Sequence, residues 1–125
     1  MITFTFAGLF GLFYVFLSAK TIKTRRKAQV AVGTSDNDIL TRAVRAHGNF
    51  FEYTVFAIIL AYFNEVNGLN KYFIAALLSA FLVGRISHFY GITIAEIKNK
   101  NFKFRVFGMA ISLTVISILS IALFS

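Results

Sequence analysis

Two groups of polar residues in this chain recur at helical spacing inside apolar surroundings. The first is Arg42, Arg45, Asn49 and Glu52. At about 100° per residue they fall within an arc of roughly 80° and form one stripe on a helix. His47 faces elsewhere. The second group is Arg85 and His88, three apart and therefore on one face. Guanidiniums take carboxylates through paired, charge-assisted hydrogen bonds, and a carboxylate takes an ammonium. Several cations with one acid suit a small anionic ligand that carries an amino group. The competing reading is structural: a buried Arg–Glu pair can fix helix register, and Arg42 and Arg45 can reach out to headgroups.

These residues need elements to hold them. Four apolar stretches supply candidates: Ile2–Ala19, Phe50–Phe63, Tyr72–Ile94 and Val106–Ser125. A spanning helix needs about 20 apolar residues. The second stretch reaches that length only if its helix starts near Ile39 and carries the polar stripe inward. Period-two alternation is absent, so helices are expected rather than barrel strands. The expected helices cover about residues 2–24, 37–66, 70–94 and 103–125, in one domain over residues 1–125. Turn signals agree: Gly33–Asp38, Asn67–Asn70 and Asn99–Asn101. The first stretch reads as a retained helix rather than a cleaved signal peptide, because Lys20, Lys23, Arg25, Arg26 and Lys27 follow it at once.

Composition supports lipid as the solvent. The 125 residues are 58% hydrophobic and only 14% charged, well off the balance of a soluble domain. The fold class expected is all-α integral membrane, a four-transmembrane-helix bundle. Basic residues set its orientation. Seven lie in Lys20–Arg45 and four in Lys98–Arg105, against Lys71 alone in the second connection. The positive-inside rule then places both termini outside and the basic loops in the cytoplasm.

The same numbers exclude several functions. The chain has no cysteine, so it has no disulfide, no thiolate metal site and no thiol nucleophile of its own. The net charge of +8 follows from topology and attraction to anionic headgroups, and no nucleic-acid partner is expected. No metal is expected either, since no ligand spacing appears and the arginines would repel a cation. Glu52 is the one acid near the histidines, which leaves no Ser-His-Asp arrangement. Gly84 and Gly91 read as close-packing positions on the third helix rather than a phosphate loop.

Folding the second and third helices about the Asn67–Asn70 turn gives a register. An antiparallel hairpin centred there brings Glu52 level with Arg85 and Asn49 level with His88. With about 1.5 Å rise per residue, Glu52 lies roughly 15 Å beyond Arg42. The stripe thus describes a cytoplasm-facing polar cleft with an acid at its inner end.

The segment Arg42-Ala-Val-Arg45-Ala-His47-Gly-Asn49-Phe-Phe-Glu52-Tyr53 closely resembles the second-helix signature of the MAPEG family, membrane-associated proteins in eicosanoid and glutathione metabolism. Phe81–Gly91, with Gly84, Arg85, His88 and Tyr90, is similar to the family's third-helix segment. The resemblance extends over most of the chain and is nearest in character to small bacterial members, which implies an inner-membrane location. It implies a homotrimer with glutathione as cosubstrate, held between subunits. It further implies that Arg42, Arg45, Asn49 and Glu52 hold the tripeptide, with Glu52 on its α-ammonium. Arg85 and His88 would support the carboxylates, and Lys23 or Arg26 of the adjacent subunit would complete the site. Arg105 matches the arginine that activates the thiol; a guanidinium beside sulfur favours the thiolate.

The implied activity is a glutathione transferase or peroxidase acting on hydrophobic electrophiles or lipid hydroperoxides. The alternative is a non-enzymatic member whose polar stripe serves packing and assembly. The chain departs from the family pattern at three places. Val106 follows Arg105 where one eicosanoid branch has Ser, Ile92 stands where several enzymes have Tyr, and Val55 replaces a common Pro. These argue against a prostaglandin- or leukotriene-type reaction.

Overall fold

In a computed structural model describing residues 1–125, every regular element is helical. Helix α1 spans Ile2–Ala28, α2 Asp38–Val66 and α3 Lys71–Tyr90. A π-helical segment, Gly91–Ala95, joins α3 to a short α4, Glu96–Asn99. The last helix, α5, spans Lys103–Ala122. Three boundaries differ by more than one residue from the sequence expectation, among them the end of the last helix, at Ala122 rather than residue 125. The first helix continues to Ala28 rather than residue 24, since its basic last turn suits a helix C-terminus. The third runs without a break to Asn99 rather than residue 94, because the π segment carries it through Gly91.

Side-chain caps set the ends. Asn37 accepts from the Leu40 amide at 2.9 Å and starts α2. Asn70 accepts from the Tyr72 amide at 2.8 Å and starts α3. The start of α1 is capped from a distance: the Glu65 carboxylate accepts from the amides of Ile2 (2.6 Å) and Thr3 (2.9 Å). That contact fastens the N-terminus of α1 to the end of α2, where a negative charge also meets the positive end of a helix dipole.

Three helical stretches are long and apolar enough to cross a membrane: Ile2–Ala28, Lys71–Asn99 and Lys103–Ala122. Helix α2, with 29 residues, is roughly 43 Å long and exceeds the hydrocarbon thickness, but carries the polar stripe in its first half. The core between the helices is aromatic: Phe10 meets Phe50 and Phe81 edge-on, with centroids 6.3 and 5.8 Å apart. Farther along, Asn64 ties α2 to α5, donating to the carbonyls of Leu60 and Leu119.

The helices do not all pack equally. Helix α3 packs most extensively on α5, and α2 on α1, while contact between α2 and α3 is slight. Glycines permit the first of these close approaches. A Cβ on Gly84 would come within 3.1 Å of the Gly108 carbonyl oxygen, and one on Gly91 would meet the backbone of Arg105. The connections place the end of α1, the start of α2, α4 and the start of α5 at one end of the bundle. On the outer face, Ala7 and Gly11 of α1 line an open apolar groove of about 280 Å³ with Phe51 and Val55 of α2.

Candidate functional site

At the basic end of the bundle, α2, α3 and α5 enclose a cleft of about 410 Å³. Arg45 and Asn49 enter it from α2, His88 from α3 and Arg105 from the first turn of α5. Ile92, Val106 and Met109 supply an apolar wall. Four of the residues expected from sequence therefore share one cavity, half polar and half greasy. Arg105 reaches it because Gly91 lets the α5 backbone lie directly against the π segment.

Behind the cleft lies a buried polar knot. Arg85 is 2% exposed, and its Nη1 donates to Asn49 Oδ1 at 2.5 Å while its Nε donates to Ser112 Oγ at 2.9 Å. Ser112 passes the bond on to the Gly108 carbonyl at 2.7 Å. The remaining Nη2 has no hydrogen-bond partner. The guanidinium lies 5.3 Å from the Tyr53 ring and 5.7 Å from that of Phe81, which offsets part of that loss. Arg85 thus joins α2, α3 and α5 through neutral partners.

The Asn67–Asn70 hairpin places Arg85 level with Glu52, but the two do not pair. Arg85 bonds Asn49, about one turn from the level of Glu52. Glu52 instead lies 3.7 Å from Arg45, two helical turns' neighbour on the same face of α2, with both side chains about half exposed. The physical reason is the packing order. Because α2 and α3 touch only slightly and α5 lies against α3, the buried face of α3 meets Ser112 rather than Glu52. His47 turns to α1, stacking on Tyr14 at 4.7 Å and bonding Ser18 at 2.9 Å.

Glu96 is the residue that sequence reasoning missed. Its side chain is 1% exposed and lies between two arginines. Oε1 accepts from Arg42 Nη1 at 3.0 Å, and Oε2 lies 3.1 Å from Arg105 Nε. The second contact is an ion pair without hydrogen-bond alignment, so Oε2 has a coulombic partner but no donor aimed at it. Arg42 is occupied further by Asp38 (3.0 Å) and the Ile92 carbonyl (3.1 Å). The expectation of ample unpaired positive charge is corrected accordingly. Three guanidiniums, Arg42, Arg45 and Arg105, meet three carboxylates, Asp38, Glu52 and Glu96, while Arg85 has only neutral partners. The signal for Glu96 was its spacing, eleven residues or about three turns beyond Arg85. A helix ending at residue 94 leaves Glu96 outside it. The π turn carries one extra residue and re-aims the side chains beyond it, a device found often at functional sites.

Lys23 and Arg26 are not brought to this cleft. Lys23 lines a separate one with Lys20 and Lys27 on α1, and Arg26 is exposed. No group of three or more His, Cys, Asp or Glu could hold a metal ion.

Fold and site together define a helical membrane protein with an arginine-bearing polar cleft at one end. The model of the MAPEG family matches residues 3–125, and the chain belongs to that family. It is 33% identical over 91 residues to the inner membrane protein YecN of Escherichia coli K12, covering 73% of this chain and 70% of the relative. The YecN of E. coli O6:H1 matches with the same values.

Proposed function

We propose that the cleft binds glutathione or a similar thiol, and that the chain transfers it to hydrophobic electrophiles or uses it to reduce lipid hydroperoxides. One observation carries this reading: Arg45, Asn49, His88 and Arg105 converge from three helices on a single cavity with an apolar wall. The donor set fits such a ligand. Arg45 offers its guanidinium to a carboxylate, and Glu52 beside it offers an acceptor to an α-ammonium. Arg85 works from behind the wall, donating to Asn49 Oδ1 and so fixing an amide that lines the cleft. Arg42 acts likewise as a brace, through Glu96.

The chemistry assigned to Arg105 is thiolate stabilisation. Its Nε side is held toward Glu96, which leaves the Nη groups to a sulfur in the cleft. A guanidinium there raises the thiolate fraction at neutral pH, and the thiolate is the nucleophile. The apolar wall of Ile92, Val106 and Met109 would take the electrophile, entering from the bilayer. In this reading the chain works as a homotrimer in the inner membrane, with its termini outside and its basic loops in the cytoplasm. Arg26 of a neighbouring subunit then adds a cation to the ligand.

The second reading is a non-enzymatic member that keeps the fold. The buried Arg85–Asn49–Ser112 knot favours it, since those groups satisfy one another without a ligand. Thermal unfolding of the detergent-purified protein separates the two. Millimolar glutathione should raise the Tm of the parent and not that of Arg45→Ala. An unchanged Tm in the parent would leave the packing role as the better account.

A further inference from the structure

We infer that the second basic cleft, between the end of α1 and the start of α2, is a binding site for one anionic phospholipid, recognised through its phosphate. The inference is independent of the thiol reading. The cleft measures about 460 Å³, and Lys20, Lys23 and Lys27 line it together with Thr24 and Asn37. The lysines are three, four and seven apart, so they share one face of α1. None of the chain's ion pairs involves a lysine. The nearest acids in sequence, Asp36 and Asp38, flank Asn37, and Asp38 is engaged by Arg42 at 3.0 Å. Three ammoniums therefore face one cavity without a counter-charge.

Two features make this a shaped site rather than a diffuse charge. The Lys20 ammonium lies over two rings, 5.8 Å from Phe16 and 5.3 Å from Phe89. The opposite wall is also fixed. Arg25 donates to the Gly33 carbonyl at 2.7 Å and to that of Val30 at 3.4 Å, folding the connection back along α1. Asn37 is pinned as the cap of α2.

The occupant is indicated by position and by the space adjoining the cleft. Lys20 is the first charge after the apolar run Ile2–Ala19, so the cleft sits where hydrocarbon gives way to headgroups. A narrower crevice of about 160 Å³ shares Lys20, Thr24 and Ile39 with it and continues inward past Leu17 and Phe89. A polar mouth opening on an apolar slot matches a phosphate ester bearing acyl chains and suits free phosphate poorly. The hydroxyls of Thr21 and Thr24 are engaged by carbonyls one turn back, at 2.9 and 2.8 Å, so the lysines carry the recognition.

The test uses the full chain in detergent micelles doped with phosphatidylglycerol or phosphatidylcholine, read by thermal unfolding and by lipid adducts in native mass spectrometry. The comparison is K20Q/K23Q/K27Q against K98Q/K100Q/K103Q, three lysines removed from the other basic connection. Phosphatidylglycerol should stabilise the parent and the second variant and leave a retained adduct on both. Retention should fall about fivefold per lysine removed and on the order of a hundredfold in the first variant. Equal loss in both variants would reduce the effect to general charge attraction and overturn the site, as would full retention in the first. Inorganic phosphate matching the lipid's effect would overturn the lipid assignment.

Discussion

Two arginines on neighbouring helices, Arg85 and Arg105, stand close in the fold and live in opposite circumstances. Arg85 is 2% exposed, bonded to an amide and a hydroxyl, and flanked by the rings of Tyr53 and Phe81. Arg105 has a side chain 42% exposed, shares the Glu96 carboxylate with Arg42 and opens on the cleft. Both carry the same group. Burial with neutral partners commits a guanidinium to one geometry. A place at the rim, with a carboxylate holding one edge, leaves the other edge to a ligand.

That contrast predicts different failures. Arg85→Ala should cost stability most, roughly 3–4 kcal/mol, by leaving a cavity and unpairing Asn49 and Ser112. Thermal unfolding of the purified protein checks it. An Arg85→Ala protein as stable as the parent would break the comparison at its root. Arg105→Ala should cost less, about 1 kcal/mol, by leaving the buried Glu96 Oε2 without its partner, and should lower conjugation of a chlorodinitrobenzene-type electrophile about a hundredfold, as loss of one positioned donor does. Undiminished turnover would remove Arg105 from the chemistry.

Glu96→Gln stands between the two cases. It keeps the shape and removes the charge that aligns Arg42 and Arg105. We expect about 1–2 kcal/mol of lost stability and a fall in kcat that exceeds any change in glutathione KM. A change in KM alone would make Glu96 a binding rather than a positioning residue. The smallest stability effect belongs to Glu52→Gln. Its 3.7 Å pair with Arg45 is half exposed, and such pairs contribute less than about 1 kcal/mol. The melting temperature without ligand should barely move, while the stabilisation given by glutathione should shrink.

Much of the fold was legible. The apolar runs, the turns at Gly33–Asp38 and Asn67–Asn70 and the glycines at 84 and 91 are local signals, and local signals survive without neighbours. The polar stripe on α2 was legible for the same reason, since helical phase is a property of one segment. The partners across helices were not. The Asn67–Asn70 turn suggested that α2 and α3 face each other, but a tight connection fixes direction and not contact. The aromatic packing of α1 on α2 and the glycine seam between α3 and α5 compete for the same surfaces, and they prevail.

The sequence by itself determined the solvent, the helices and the residue types at the cleft, because hydropathy, periodicity and charge are written along the chain. It also determined that any reactive sulfur must come from outside, since the chain has no cysteine. Only the tertiary structure decided which arginine is sealed and which is free. It placed Ser112 beside Arg85 from 27 residues away and Glu96 beside Arg42 from 54 away. Those pairings rest on how helices pack and on one π turn, and no single segment carries that information.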